Sequence, residues 1–258
     1  MVRLTAPIAW LSRLRVRGFD VIAPGKCLLV ANHSSAMMLD IPLVIRAWVQ
    51  AHGDRPARGL AHRLNWQAPM KWLKLLQRVG AVYAHPEVAR RVLDRGDALI
   101  TFPGGESEAL RPFTRRYHID LQGRTGFVRL ARAAGASIVP VVICGAHAPF
   151  ILLPGAHTVA RWLGLERALG LKAFPLTLQL ALGVALGACA ALDPALRAWW
   201  PLALVLAILP IPSRVELEAL PPIVVRDDET DADAYERVRA AMQAAMDRMA
   251  ASRVTPWG

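Results

Sequence analysis

The chain has 258 residues, enough for one large core, and 54% of them are hydrophobic, eight being tryptophan. A mean hydropathy of +0.31 places it between ordinary soluble enzymes and integral membrane proteins. The net charge of +11 calls for a polyanion, but no zinc-finger, RNP or helix-turn-helix signature accompanies the scattered arginines. A membrane is therefore the expected partner, and nucleic acid is not.

In chain order, the apolar patch from Leu4 to Leu11 precedes Arg13, Arg15 and Arg17, the reverse of a secretory signal. Residues 1–18 read either as an interfacial anchor with Trp10 at headgroup level or as a first helix on the core. "CLLVA" (27–31) predicts a buried strand ending just before Asn32 and His33. Apolar residues then recur at helical spacing from Leu39, with Asp40 at or near the helix start. A strand is expected in 55–62, an amphipathic helix over 67–80, a strand at "AVYA" and a helix from Pro86 to Arg95. "DALITF" is a strand running into the glycine-rich "PGG". A helix over 126–135 leads to the strand "SIVPVVI" (137–143). This alternation predicts a single-domain α/β fold with a mostly parallel central sheet flanked by helices. Sites in such sheets gather where strands end and helices begin.

Residues 173–192 carry no charge, and a second uncharged stretch runs from Ala198 to Ser213, interrupted by Pro201, Pro210 and Pro212. Together, residues 173–213 read as an apolar hairpin that dips into one leaflet rather than spanning twice. "RVELEALPPIVV" predicts a further strand. The acidic "RDDETDADA" opens a C-terminal helix over 229–252, packed through Tyr235, Val238, Met242, Ala245 and Met249. Cys27, Cys144 and Cys189 are far apart in apolar sequence, which argues against a disulfide framework or a zinc site and predicts buried thiols. No metal site is expected.

Two stretches carry chemistry. In "ANHSSAMMLD" (31–40), His33 follows a strand, and an Asp40 carboxylate folded back onto its ring would fix the tautomer and raise the basicity of the other nitrogen. That arrangement makes a general base for a hydroxyl nucleophile. In "FPGGESEALRPF" (102–113), Gly104 and Gly105 let the backbone approach a ligand closely. Glu106, Glu108 and Arg111 follow at once. Arg111, Arg115, Arg116 and Arg124 offer guanidinium forks for phosphate, or equally a patch facing lipid headgroups.

From about Cys27 to Val225 the chain resembles the glycerolipid (lysophospholipid) acyltransferase superfamily, nearest its monoacylglycerol and diacylglycerol acyltransferase-like branch. The resemblance rests on "ANHSSAMMLDIPLV", "RVGAVYAHPEVARRVLDRGDALITFPGGESEALRPF", "GRTGFVRLARAAGASIVPVVICGAH" and "VELEALPPI", in that order. It implies the glycerol-3-phosphate-acyltransferase-like fold and acyl transfer from acyl-CoA or an acyl carrier protein, with His33 deprotonating the acceptor and Asp40 orienting it. It implies no bound cofactor, and a place on the cytoplasmic face of a bacterial inner membrane. Gly104, Gly105, Glu106, Arg111 and Arg124 are then acceptor or phosphate contacts. Asn32, Ser35, Pro103 and Pro140 support the motifs, and residues 138–142 line a pocket.

Three departures shape the expected acceptor. Six residues separate His33 from Asp40, more than in the commonest family motif. Where that family usually reads "FPEGTR", Gly104 takes the acid's place and Ser107 the arginine's. His85 stands where an arginine usually follows "GAVY". Loss of two phosphate-gripping groups favours a less anionic acceptor, such as a monoacylglycerol-like alcohol. The competing reading is a noncatalytic lipid-binding protein of the same fold, favoured if Asp40 cannot reach His33.

Overall fold

The computed structural model describes residues 3, 5–34, 40–53, 55–61, 74, 77, 78, 80–169 and 173–258. Most of the helix expected over 67–80, and Ser35, lie outside the described residues. Seven strands are seen among the described residues: β1 (Arg15–Arg17), β2 (Cys27–Ala31), β3 (Ala57–Ala61), β4 (Ala81–Tyr83), β5 (Ala98–Thr101), β6 (Ser137–Cys144) and β7 (Glu216–Ala219). They make one sheet in the order β1-β7-β6-β2-β5-β3-β4. From β6 to β4 every pairing is parallel. β7 joins β6 antiparallel and carries β1 parallel to itself, so the mostly parallel sheet ends in a reversed edge.

Helices with both ends among the described residues are α1 (Ala6–Leu11), α2 (Asp40–His52), α3 (Pro86–Asp94), α4 (Gly105–Ala109), α5 (Gly126–Ala134), α6 (Ala156–Trp162), α7 (Leu165–Leu169), α8 (Leu178–Leu192), α9 (Trp200–Ile208) and α10 (Asp231–Ala251). Strand alternation sorts the core into two layers. Leu28 and Val30 of β2 pack with Val92 and Leu93 of α3, Val128 of α5 and Val238 and Met242 of α10. Leu29 and Ala31 face the other way, onto Leu43, Val44, Ala47 and Trp48 of α2. Each fully buried aliphatic side chain contributes about 1.5–3 kcal/mol. Capping fixes the helix ends: His85 Nδ1 accepts from Glu87 N–H ahead of α3, and Thr230 Oγ1 accepts from Asp233 N–H ahead of α10. Gly135 closes α5 in the left-handed conformation, at φ 60°.

The apolar hairpin is two helices, α8 and α9, joined by a 3-10 turn over Pro194–Trp199. Pro201 lies in the first turn of α9, where its missing N–H costs nothing, so it starts this helix rather than interrupting it. The two helices meet at Gly183, where a Cβ would lie 2.6 Å from the Ala203 carbonyl and 2.7 Å from Ala207 Cβ. With 15 and nine residues they reach roughly 22 and 14 Å, short of a hydrocarbon core of about 30 Å. Among the described residues, no helix is long and apolar enough to cross a membrane. The outer face is nonetheless greasy: Leu182, Val184, Leu192, Leu204 and Ile208 are exposed. Cys189 lies on that face too, so the expectation of three buried thiols holds for Cys27 and Cys144 and fails for Cys189. Within α8 only Gln179 is polar, buried and bonded to the Pro149 carbonyl and the Ile151 N–H, while the face turned from α9 stays apolar and exposed.

Candidate active site

β2 and β5 are parallel neighbours, with Val30 opposite Thr101. That register brings both polar motifs to one edge of the sheet: His33 lies two residues past β2, and Pro103 two past β5. Asn32 ties the first motif to β6, donating from Nδ2 to the Ile143 carbonyl at 3.1 Å and accepting the Ile143 N–H at 2.8 Å.

Asp40 is the first residue of α2 and fully buried. Its Oδ2 lies 2.6 Å from His33 Nδ1 and accepts the Ser34 N–H at 2.7 Å, while Oδ1 accepts the Ile41 N–H at 3.0 Å. The long spacing therefore closes, because the helix start turns the carboxylate back onto the loop. The bond to a carboxylate places a proton on Nδ1 and leaves Nε2 as the nitrogen able to receive one. Burial, with the residue 4% exposed, draws the imidazolium pKa down. Asp40, and behind it Glu108, outweigh that and lift the ring above the ordinary histidine range. Phe102 packs against the ring at 5.0 Å between centroids.

A second acid reaches the same residue. Glu108, fully buried in α4, accepts the His33 N–H at 2.8 Å through Oε2 and the Asp120 N–H at 3.2 Å through Oε1. Burial pushes its carboxyl up to about 7 against the pull of Arg111 and the two amide donors. Arg111 Nη1 donates to the carbonyls of His33 (3.1 Å) and Glu108 (2.9 Å), Nε to that of Arg115, and Nη2 to that of Arg116, each 3.0 Å.

Of the sequence-predicted contacts, Gly104, Gly105, Pro103 and Arg124 assemble beside this cluster. Arg124 Nη1 donates to the Pro103 carbonyl at 2.7 Å, and a Cβ on Gly105 would meet that same nitrogen at 3.0 Å. Gly105 has φ +56°, a backbone that favours glycine. Glu106 turns away, accepting the Ala173 N–H at 3.0 Å. Arg111 is corrected: it is 6% exposed with its guanidinium spent on four main-chain carbonyls, so it is not a free phosphate fork. Pro140 lies opposite Val30 in the sheet, and residues 138–142 are buried in β6. His85 is taken up capping α3.

Two groups escaped the reading of the sequence. Glu108 was visible as an acid but not as a partner of His33, because a contact across 75 residues leaves no local pattern. His147, past the end of β6, is buried close enough to His33 and Arg111 to feel both. Burial first, then those charges, hold its pKa well below the ordinary value, and its Nε2 has no hydrogen-bond partner among the described residues. Its signal was the one that exposed His33, a histidine just beyond a strand.

A family model described as Acyltransferase matches residues 13–144. The chain is 28% identical to the uncharacterized protein Rv0502 of Mycobacterium tuberculosis over 254 residues, covering 93% of this chain and 63% of that protein. It is 26% identical to the uncharacterized protein ML2427 of Mycobacterium leprae over 251 residues, 93% of this chain and 61% of that one. It thus spans less than two thirds of the length of these relatives. Among solved structures, the crystal structure of the 1-acyl-sn-glycerophosphate (LPA) acyltransferase PlsC from Thermotoga maritima superposes with a TM-score of 0.58 at 15% identity. That match covers 98% of this chain and 80% of the other, and establishes the shared fold. With the family model covering more than half of its length, the chain belongs to the acyltransferase family, built on the PlsC fold.

Proposed function

We propose that the protein is an O-acyltransferase that moves a fatty acyl group from acyl-CoA or an acyl carrier protein to a hydroxyl of a neutral glyceride or lysophospholipid. The observation that carries this reading is the 2.6 Å contact between His33 Nδ1 and Asp40, within the range a general base and its orienting acid require. The acceptor hydroxyl gives its proton to His33 Nε2 as its oxygen attacks the thioester carbonyl. The C–S bond then breaks, and the departing thiolate takes the proton back. The step needs no bound metal or cofactor. A noncatalytic lipid carrier would have no use for an oriented, basic imidazole.

The acceptor reading favours a neutral alcohol. Ser107 and His85 replace two arginines, and Arg111 is committed to the backbone. The exposed face of α8 and α9, together with Trp10 at 82% exposure, supports docking on the cytoplasmic face of a membrane, where such lipids reside. The test incubates the purified chain with mixed acyl-CoAs and a vesicle panel of monoacylglycerol and lysophospholipids, with esters identified by mass spectrometry. A thioester-dependent glyceride ester is expected. No new ester with any acceptor would sink the assignment, and acylation of phosphate-bearing acceptors alone would overturn the acceptor preference.

A further inference from the structure

We propose that Glu108 and Arg111 form a positioning pair for His33, gripping its main-chain N–H and carbonyl, with Gly104 kept bare to admit the carboxylate. The inference rests on His33 being the base. The Glu108 carboxylate holds the His33 N–H at 2.8 Å, and Arg111 Nη1 holds the His33 carbonyl at 3.1 Å. The pair is itself joined, Arg111 Nη1 lying 3.5 Å from Glu108 Oε1. Asp40 fixes the ring and holds the Ser34 N–H, and Asn32 ties the preceding residue to β6, so this pair completes the hold on the His33 main chain.

Gly104 shows that the space is reserved. A Cβ there would fall 2.1 Å from Glu108 Oε2, 2.5 Å from Glu108 Cβ and 2.6 Å from the Asp120 carbonyl, so any larger residue displaces the carboxylate or the main chain it bonds. The acid at position 108 thus reaches back into the volume that a side chain at position 104 would fill. Burying a carboxylate and a guanidinium is costly for stability alone, and an apolar pair often serves as well. Here every polar atom of the carboxylate, and three guanidinium nitrogens, meet main-chain partners of the His33 loop and of the segments around it. The titratable groups facing Glu108 are Arg111 and His33, with His147 beside them.

The test compares Glu108→Gln, Arg111→Lys and Gly104→Ala with the wild type on neutral and phosphate-bearing acceptors, alongside His33→Ala. Glu108→Gln keeps the shape but turns an amide NH₂ toward one of two N–H donors. It is expected to lower kcat about 10–100-fold, the cost of a slightly misplaced base, with KM unchanged and both acceptor classes affected alike. Gly104→Ala, which keeps both charges, is expected to do the same. If Arg111→Lys raises KM for phosphate-bearing acceptors alone and spares kcat, Arg111 grips the acceptor and the proposal is overturned. Full activity of His33→Ala would instead sink the reading of the base. Should the variants fail to fold, the wild type decides by ¹⁵N NMR. The His33 amide proton is expected far downfield, as its 2.8 Å bond to the Glu108 carboxylate requires, and an amide resonance at an ordinary loop position contradicts the pair.

Discussion

At the scale of single residues, the account turns on how a buried imidazole stays basic. Dry surroundings alone would lower the His33 pKa, and the Asp40 carboxylate reverses the sign. Only the unprotonated ring accepts a proton, so activity falls as pH falls, with the acid limb centred above the ordinary histidine value of 6.5. Asp40→Asn keeps the shape and removes the charge. It is expected to cut kcat by about 10²–10⁴ and to move the limb of the residual activity to lower pH, both measured in a pH–rate profile. An unmoved limb would mean that another group titrates. Residue types alone made His33 and Asp40 legible, since few other reasons exist for such polarity in apolar flanks. Arg111 was misread for a physical reason: a guanidinium that binds phosphate and one that binds carbonyls have the same sequence signature.

Among the elements, β2 is legible because burial on both faces leaves one unbroken apolar run, and α2 and α10 because burial of one face imposes period 3.6; β1, three exposed residues at the sheet edge, leaves no such signal. α4 was not. Its opening glycines look like a turn, and the helix turns Glu108 onto the His33 N–H. Pro201 was misjudged in the same way, since a proline reads as a break until its place in the first turn is known. The hairpin depends on close contact at Gly183, so Gly183→Leu is expected to drive α8 and α9 apart. A destabilisation of about 1–3 kcal/mol, seen as an early unfolding transition, would follow. Unchanged unfolding would mean that the helices do not pack as described.

For the whole molecule, the charge of +11 and the greasy outer face of α8 and α9 are expected to act together on a bilayer. Cosedimentation with anionic vesicles is expected to weaken as salt rises, because screening shortens electrostatic reach to about 10 Å at 0.1 M. Replacing both Leu182 and Leu204 with Lys is expected to weaken binding at every salt concentration, although it adds charge, because it removes buried apolar area. Binding that survives this change would place the contact elsewhere, with exposed Trp10 the next surface to alter. The measurement that bears most directly on the account is thioester-dependent acylation of a lipid acceptor by the wild type and by His33→Ala, both shown to be folded. Ester formation by the wild type and a fall of at least about 10²-fold in the variant are predicted. An equal rate in the two would contradict the account, because no other group has been assigned to take the acceptor's proton.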